Sequence, residues 1–151
     1  MPDLRELYQE LIVDHSKRPR NFGKLEGANR NAAGYNPLCG DKVTVYLKMK
    51  DDIVEDVRFE GSGCAISTAS ASMMTEKAKG KTLQEAEKLF EVFHGLVTGA
   101  HPGESDDSEQ LGKLAVFSGV SEFPMRVKCA TLPWHTFRSA LHGSDEVIST
   151  E

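Results

Sequence analysis

Apolar residues recur every three to four positions at the start of the chain, where Leu4, Leu7, Tyr8, Leu11 and Ile12 share one face. That spacing predicts an amphipathic helix, ended by the proline and glycine of "KRPRNFG". Residues 21–38 carry Gly23, Gly27, Gly34 and Pro37 among several asparagines, a pattern of loop with room for one short edge strand. The period then changes to two. Val43, Val45, Leu47 and Met49 alternate with Thr44, Tyr46 and Lys48, which predicts a half-buried strand. Asp51 and Asp52 make a tight turn, and residues 53–60 alternate again with Ile53, Val57 and Phe59 expected inward, completing a hairpin.

The second strand runs into "GSGCAISTASASMM", where Gly61 and Gly63 free the backbone to turn. A helix of small residues begins close to Cys64, and Gly80 closes it. Thr82 and Glu85 have the spacing of a capping box for the next helix, whose face is Leu83, Ala86, Leu89, Phe90 and Phe93. Residues 98–109 are polar and rich in turn formers, hence a surface loop, and Leu111, Leu114 and Ala115 suggest a short helix ended near Gly119. Pro124 and Pro133 punctuate the remainder, with Cys129 in a short helical stretch between them and a last helix carrying Trp134, Phe137 and Leu141. The fold class is α+β: a small antiparallel sheet of about three strands with helices on one side, in one domain over residues 1–151.

Charge narrows the partners. Eighteen Lys and Arg against 23 Asp and Glu give a net charge of −5, without the clustered basic surface that tracks phosphates, so nucleic acid is not expected as a main partner. The short cluster Lys17-Arg18-Pro19-Arg20 fits a solvated connector better than a binding patch. No apolar stretch approaches the ~20 residues that span a bilayer. The acidic, amphipathic N-terminus also differs from a secretory signal, so no membrane association and a cytoplasmic location are expected.

Three cysteines, an odd number in a chain of this size, point to free thiols rather than disulfide staples. Each lies at the boundary of a predicted element beside small or polar neighbours: Cys39 by Gly40 and Asp41, Cys64 by Gly63 and Ala65, Cys129 by Lys128 and Ala130. Cys39, Asp41, Cys64 and Cys129 can fill one tetrahedral zinc sphere. The separations of 25 and 65 residues between the cysteines match no short zinc-finger template, so scattered free thiols are the competing reading, as a turn cap is for Asp41. The deaminase and H-E-x-x-H zinc patterns and the usual nucleotide-binding glycine loops are absent.

"NPLCGD", "GSGCAISTASASMM" and "RVKC", in that order, resemble the U-type iron–sulfur assembly proteins, and most closely their SufU branch from Gram-positive bacteria. The likeness covers nearly the whole chain. IscU-type scaffolds of this superfamily carry a histidine just before the third cysteine. Here that position is Lys128, whose ammonium has no free lone pair for a metal. The long stretch "GAHPGESDDSEQLGKLAVFSGV" between Cys64 and Cys129 also resembles the SufU insertion.

The resemblance implies a zinc-dependent sulfurtransferase that takes persulfide sulfur from a SufS-type, pyridoxal-phosphate-dependent cysteine desulfurase and passes it to downstream SUF scaffold proteins. It implies zinc on Cys39, Asp41, Cys64 and Cys129, with Cys39 as the accepting nucleophile once a desulfurase histidine displaces it from the metal. Asp41, a weaker and harder ligand than thiolate, would keep one corner filled while letting the site rearrange. Arg126 is associated with activity in the family, and its guanidinium can offset a site whose three thiolates and carboxylate leave Zn²⁺ at about −2. An ordinary surface role fits Arg126 as well, and the five histidines read as structural or solvated. Two alternatives stand beside the transferase: a scaffold assembling an iron–sulfur cluster on the three cysteines, and a structural zinc module. Lys128 argues against the first, and the loop setting of Cys39 against the second.

Overall fold

The computed structural model describes residues 4–37, 40–98, 117, 120, 123–143 and 148–149, those of 4–8 and 148–149 by their backbone alone. The elements are α1 (Leu4–Lys17), β1 (Arg30–Asn36), β2 (Asp41–Lys50), β3 (Ile53–Ser62), α2 (Ala65–Ala78), α3 (Leu83–Thr98), α4 (Pro124–Leu141) and β4 (Ile148–Ser149). The sheet order is β3-β2-β1-β4. The first three strands pair antiparallel, and β4 adds a two-residue parallel pairing, Gly34 with Ile148 and Tyr35 with Ser149. This is the expected α+β architecture. Thr98, where the expected loop over 98–109 begins, is the last residue of α3, and the rest of that loop and the helix near Leu111 lie outside the described residues.

β1 is a seven-residue inner strand where the sequence suggested loop with one short edge strand. Its core-facing positions are Ala32, Gly34 and Asn36, too small or too polar to give an apolar alternation. They are small because α4 crosses there: a Cβ on Gly34 would lie 2.0 Å from Thr136 Oγ1.

The β2–β3 hairpin turns on Asp51 and Asp52, both left-handed at φ 53° and 62°, the two-residue turn whose twist suits a hairpin. Past it the pairing shifts between Lys48 and Met49, so that Met49 opposes Val54 while Lys48 opposes Asp56. Glu55 is the extra residue of this bulge, and it resets the phase of the strand. Val54, Val57 and Phe59 face the core, and Ile53, expected inward, is 41% exposed. The outer edge of β3 is covered by chain segments on either side. Gly23 N–H donates to Phe59 O and Phe59 N–H to Asn21 O, while Val54 N–H donates to Lys81 O and Gly80 N–H to Val54 O.

α2 is buried on most sides because it runs between α1, α4 and β3. Two of its buried serines bond to those neighbours. Ser70 Oγ donates to Ala130 O at 2.6 Å and accepts from Trp134 Nε1 at 3.1 Å. Ser72 Oγ accepts the Arg20 N–H at 2.8 Å and lies 2.7 Å from Nδ1 of buried His15, which ties α1 down. α3 starts with the expected capping box: Glu85 N–H donates to Thr82 Oγ1 and Thr82 N–H to Glu85 Oε1. Its apolar face buries Ala86, Leu89, Phe90 and Phe93, and Phe93 stacks on Trp134 at 4.4 Å between centroids.

α4 is one helix across Pro133, so Cys129 and Trp134 share an element that the sequence divided. Proline removes the bond to the carbonyl four residues back, here that of Cys129, at a cost of about 3 kcal/mol in an isolated helix. Packing of α4 against β1, β2, α2 and α3 offsets it, and ten of its residues from Cys129 to Leu141 other than Pro133 are buried. Among the described residues no helix is long and apolar enough to cross a membrane.

Candidate metal centre

Asp41 opens β2 in phase with Val43, Val45 and Leu47, so the strand that points those residues into the core points its carboxylate there too. It is fully buried. Opposite it in the register stands Asn36, the last residue of β1, also fully buried and on the same face. The carbonyl of Asn36 accepts the N–H of Gly40, whose φ of 73° turns the chain into β2.

The N-terminus of α2 arrives at this point. Cys64 is its N-cap, extended at φ −71°, ψ 168°, and its sulfur accepts the N–H of Ser67 at 3.4 Å. The Cys64 N–H donates to Asp41 Oδ1 at 2.9 Å, and its thiol lies 4.0 Å from Oδ2. Gly63 is required by packing: a Cβ there would sit 2.6 Å from Asp41 Oδ1. α4 supplies Cys129 from its second turn, fully buried, with Asn36 Nδ2 donating to its sulfur at 3.9 Å.

One oxygen of Asp41 and the sulfurs of Cys64 and Cys129 therefore lie within 4.8 Å of one another. Tetrahedral zinc with bonds of ~2.0–2.3 Å holds its ligand atoms roughly 3.3–3.8 Å apart, so small side-chain rotations close the trio on one ion. The electrostatics favour anionic sulfur. The Cys64 thiol is pulled down to about 6, first by a hydrogen bond from Cys129 and then by the N–H groups of Ser67 and Ile66, against burial and the Asp41 charge, which push it up. The helix N-terminus adds its partial positive charge.

Three of the four sequence-derived ligands thus converge from β2, α2 and α4, and Cys39 lies outside the described residues. Arg126 is exposed in the first turn of α4, and its side chain makes no hydrogen bond or ion pair among the described residues. Lys128 is half-buried beside Cys129. The sequence reading missed Asn36. Its signal was phase alone, two residues beyond Gly34 and four beyond Ala32 on a strand whose inward residues are not apolar.

The chain that folds into this mixed α+β domain matches the family model of the NifU-like N-terminal domain over residues 7–130. The chain belongs to that family, the SufU and IscU proteins of iron–sulfur cluster assembly. It is 46% identical over 135 residues to the zinc-dependent sulfurtransferase SufU of Bacillus subtilis, covering 87% of each chain. It is 40% identical over 141 residues to the iron–sulfur cluster assembly scaffold protein IscU of Streptococcus pyogenes, covering 93% of this chain and 86% of that one. A crystal structure from Fervidobacterium islandicum, described as that of a candidate cluster assembly scaffold for the SUF system, superposes with a TM-score of 0.82 at 41% identity, over 91% of this chain and 98% of that one.

Proposed function

We propose that this protein is a zinc-dependent sulfurtransferase that accepts persulfide sulfur from a SufS-type cysteine desulfurase and delivers it for iron–sulfur cluster assembly. The observation that carries the proposal is the convergence of Asp41, Cys64 and Cys129 with a lysine, not a histidine, preceding Cys129. The relative named as a zinc-dependent sulfurtransferase supports it. Zinc, when bound, keeps the coordinated thiols ionised at neutral pH.

The roles divide among the residues. Cys64 and Cys129, one capping α2 and the other enclosed in α4, are the fixed ligands. Asp41, buried and bonded to the Cys64 N–H, is the oxygen ligand. Cys39, two residues before Asp41 in the chain, is the acceptor. Its thiolate attacks the outer sulfur of the donor's cysteine persulfide. A new S–S bond forms on Cys39, the donor's S–S bond breaks, and the donor cysteine leaves as thiolate.

Catalytic desulfurase with excess cysteine and a thiol reductant should release sulfide much faster when this protein is added, without Fe²⁺, and removal of zinc should abolish the gain. Mass spectrometry should place one added sulfur on the Cys39 peptide, and Cys39→Ser should accept none. A zinc-loaded protein that gives no acceleration, while its iron-loaded form builds a transferable cluster, makes it a scaffold instead.

A further inference from the structure

The sheet offers a polar side chain to each of the two described cysteines. Asp41 on β2 addresses Cys64, through its N–H at 2.9 Å and its sulfur at 4.0 Å. Asn36, paired with Asp41 across the β1–β2 connection, addresses Cys129, with Nδ2 3.9 Å from Sγ. The two sulfurs are therefore treated differently. An Asp41 oxygen lies within 4.8 Å of both, but the Cys64 sulfur sits at the N-terminus of α2 and accepts the Ser67 N–H there. The other faces an amide donor in a fully buried setting.

An N–H donor on a thiolate draws on the lone pair that the thiolate would use as a nucleophile, while leaving it able to hold a metal. Asn36 is fully enclosed. It ends a strand whose neighbour in phase, Gly34, is pressed against Thr136 of α4, the helix that carries Cys129. Its carbonyl is also occupied, accepting the Gly40 N–H that closes the base of the connection bearing Cys39.

We propose that Asn36 is a positioning residue: its side-chain amide holds Cys129 as a permanent, weakly nucleophilic metal ligand, so that attack on the incoming sulfur is left to Cys39. The proposal deepens the metal-site reading above and rests on it.

The test uses the full chain loaded with ¹¹³Cd in place of zinc. Coordination of Cys129 appears as cadmium coupling to its β-protons. An Asn36 amide that donates to that sulfur should show a smaller coupling from the same cadmium to its Nδ2 protons. Cadmium coupling to Cys129 with none reaching Asn36 overturns the proposal.

A second arm uses the zinc-loaded Asn36→Leu protein, similar in volume but without a donor. Competition with a chromophoric chelator should show zinc held about tenfold more weakly or worse. Iodoacetamide should alkylate Cys129 faster relative to Cys64 in the same sample, a ratio that general unfolding would not raise because it exposes both. An unchanged ratio in the folded variant overturns the proposal. Neither arm contains a desulfurase. Cadmium coupling at Asn36 in a protein that accepts no sulfur would remove the transferase reading and leave the positioning role standing.

Discussion

Asp41 has two duties at the centre, and substitutions separate them. Its Oδ1 satisfies the Cys64 N–H, and its carboxylate supplies the oxygen of the trio that could hold a metal ion. Asp41→Asn keeps an acceptor but removes the charge, so metal affinity should fall about tenfold or more with little loss of stability. Asp41→Ala should lose both, costing a further ~1 kcal/mol for the partly buried N–H left unpaired. Chelator competition and denaturant midpoints distinguish these outcomes, and unchanged affinity in both variants would take Asp41 off the ligand set. Gly63→Ala tests the same carboxylate from outside. The added methyl, 2.6 Å from Oδ1, should displace it and weaken metal binding while all the ligands remain. Equal affinity in Gly63→Ala would mean that the carboxylate position is not critical. At this scale the sequence was informative because chemistry marks its own residues: Cys-Gly-Asp and two further cysteines stand out from their neighbours. Asn36 does not. A buried amide and a solvated one are spelled alike, and only the third dimension separates them.

Elements with a strong period were legible and those shaped by contact were not. α3 showed its apolar face and its Thr82–Glu85 cap in the sequence, and both formed. β1 was hidden because α4 needs small residues beneath it, and α4 itself was split because Pro133 breaks helices that lack the packing this one has. Ile53 was misplaced by the bulge at Glu55, which local alternation cannot reveal. Where α3 meets α4, Phe90, His94 and His135 form a cluster of rings with centroids 5.2–5.7 Å apart, and the Arg138 guanidinium lies over Phe90. Burial holds the His135 imidazole below its ordinary range, helped by His94 from α3 and Arg138 from α4. The folded state thus binds fewer protons here than the unfolded one. The stability this histidine contributes is present above about pH 6.5 and is lost as the pH falls through its lowered value. His135→Gln should flatten the decline of thermal stability between about pH 7 and 5. A decline of the same steepness in the variant would assign the acid sensitivity to other groups.

For the molecule as a whole, the candidate metal centre is distributed: its residues come from β2, α2 and α4, with Cys64 23 positions after Asp41 and Cys129 65 positions after Cys64 in the chain. Such a site exists only once the sheet and both helices have docked, so metal binding reports tertiary structure and adds to it. This is also why no short spacing motif announced it. Three distant cysteines carry little meaning until a resemblance or a fold brings them together.

The covering of β3 has a consequence for solubility. A strand whose backbone groups face solvent is a template for another chain, and many aggregates begin there. In this sheet the outer rim of β3 is already capped by Asn21 and Gly23 at Phe59 and by Gly80 and Lys81 at Val54. Among the described residues, the opposite rim, along β1, is shielded by the two residues of β4. A chain ending at Gly143 would expose Gly34 and Tyr35 on that side and should self-associate in a concentration-dependent way that the full chain does not, visible as a rising scattering mass at unchanged ligand content. If the shortened chain stays monodisperse at every concentration at which the full chain does, β4 is dispensable as a guard.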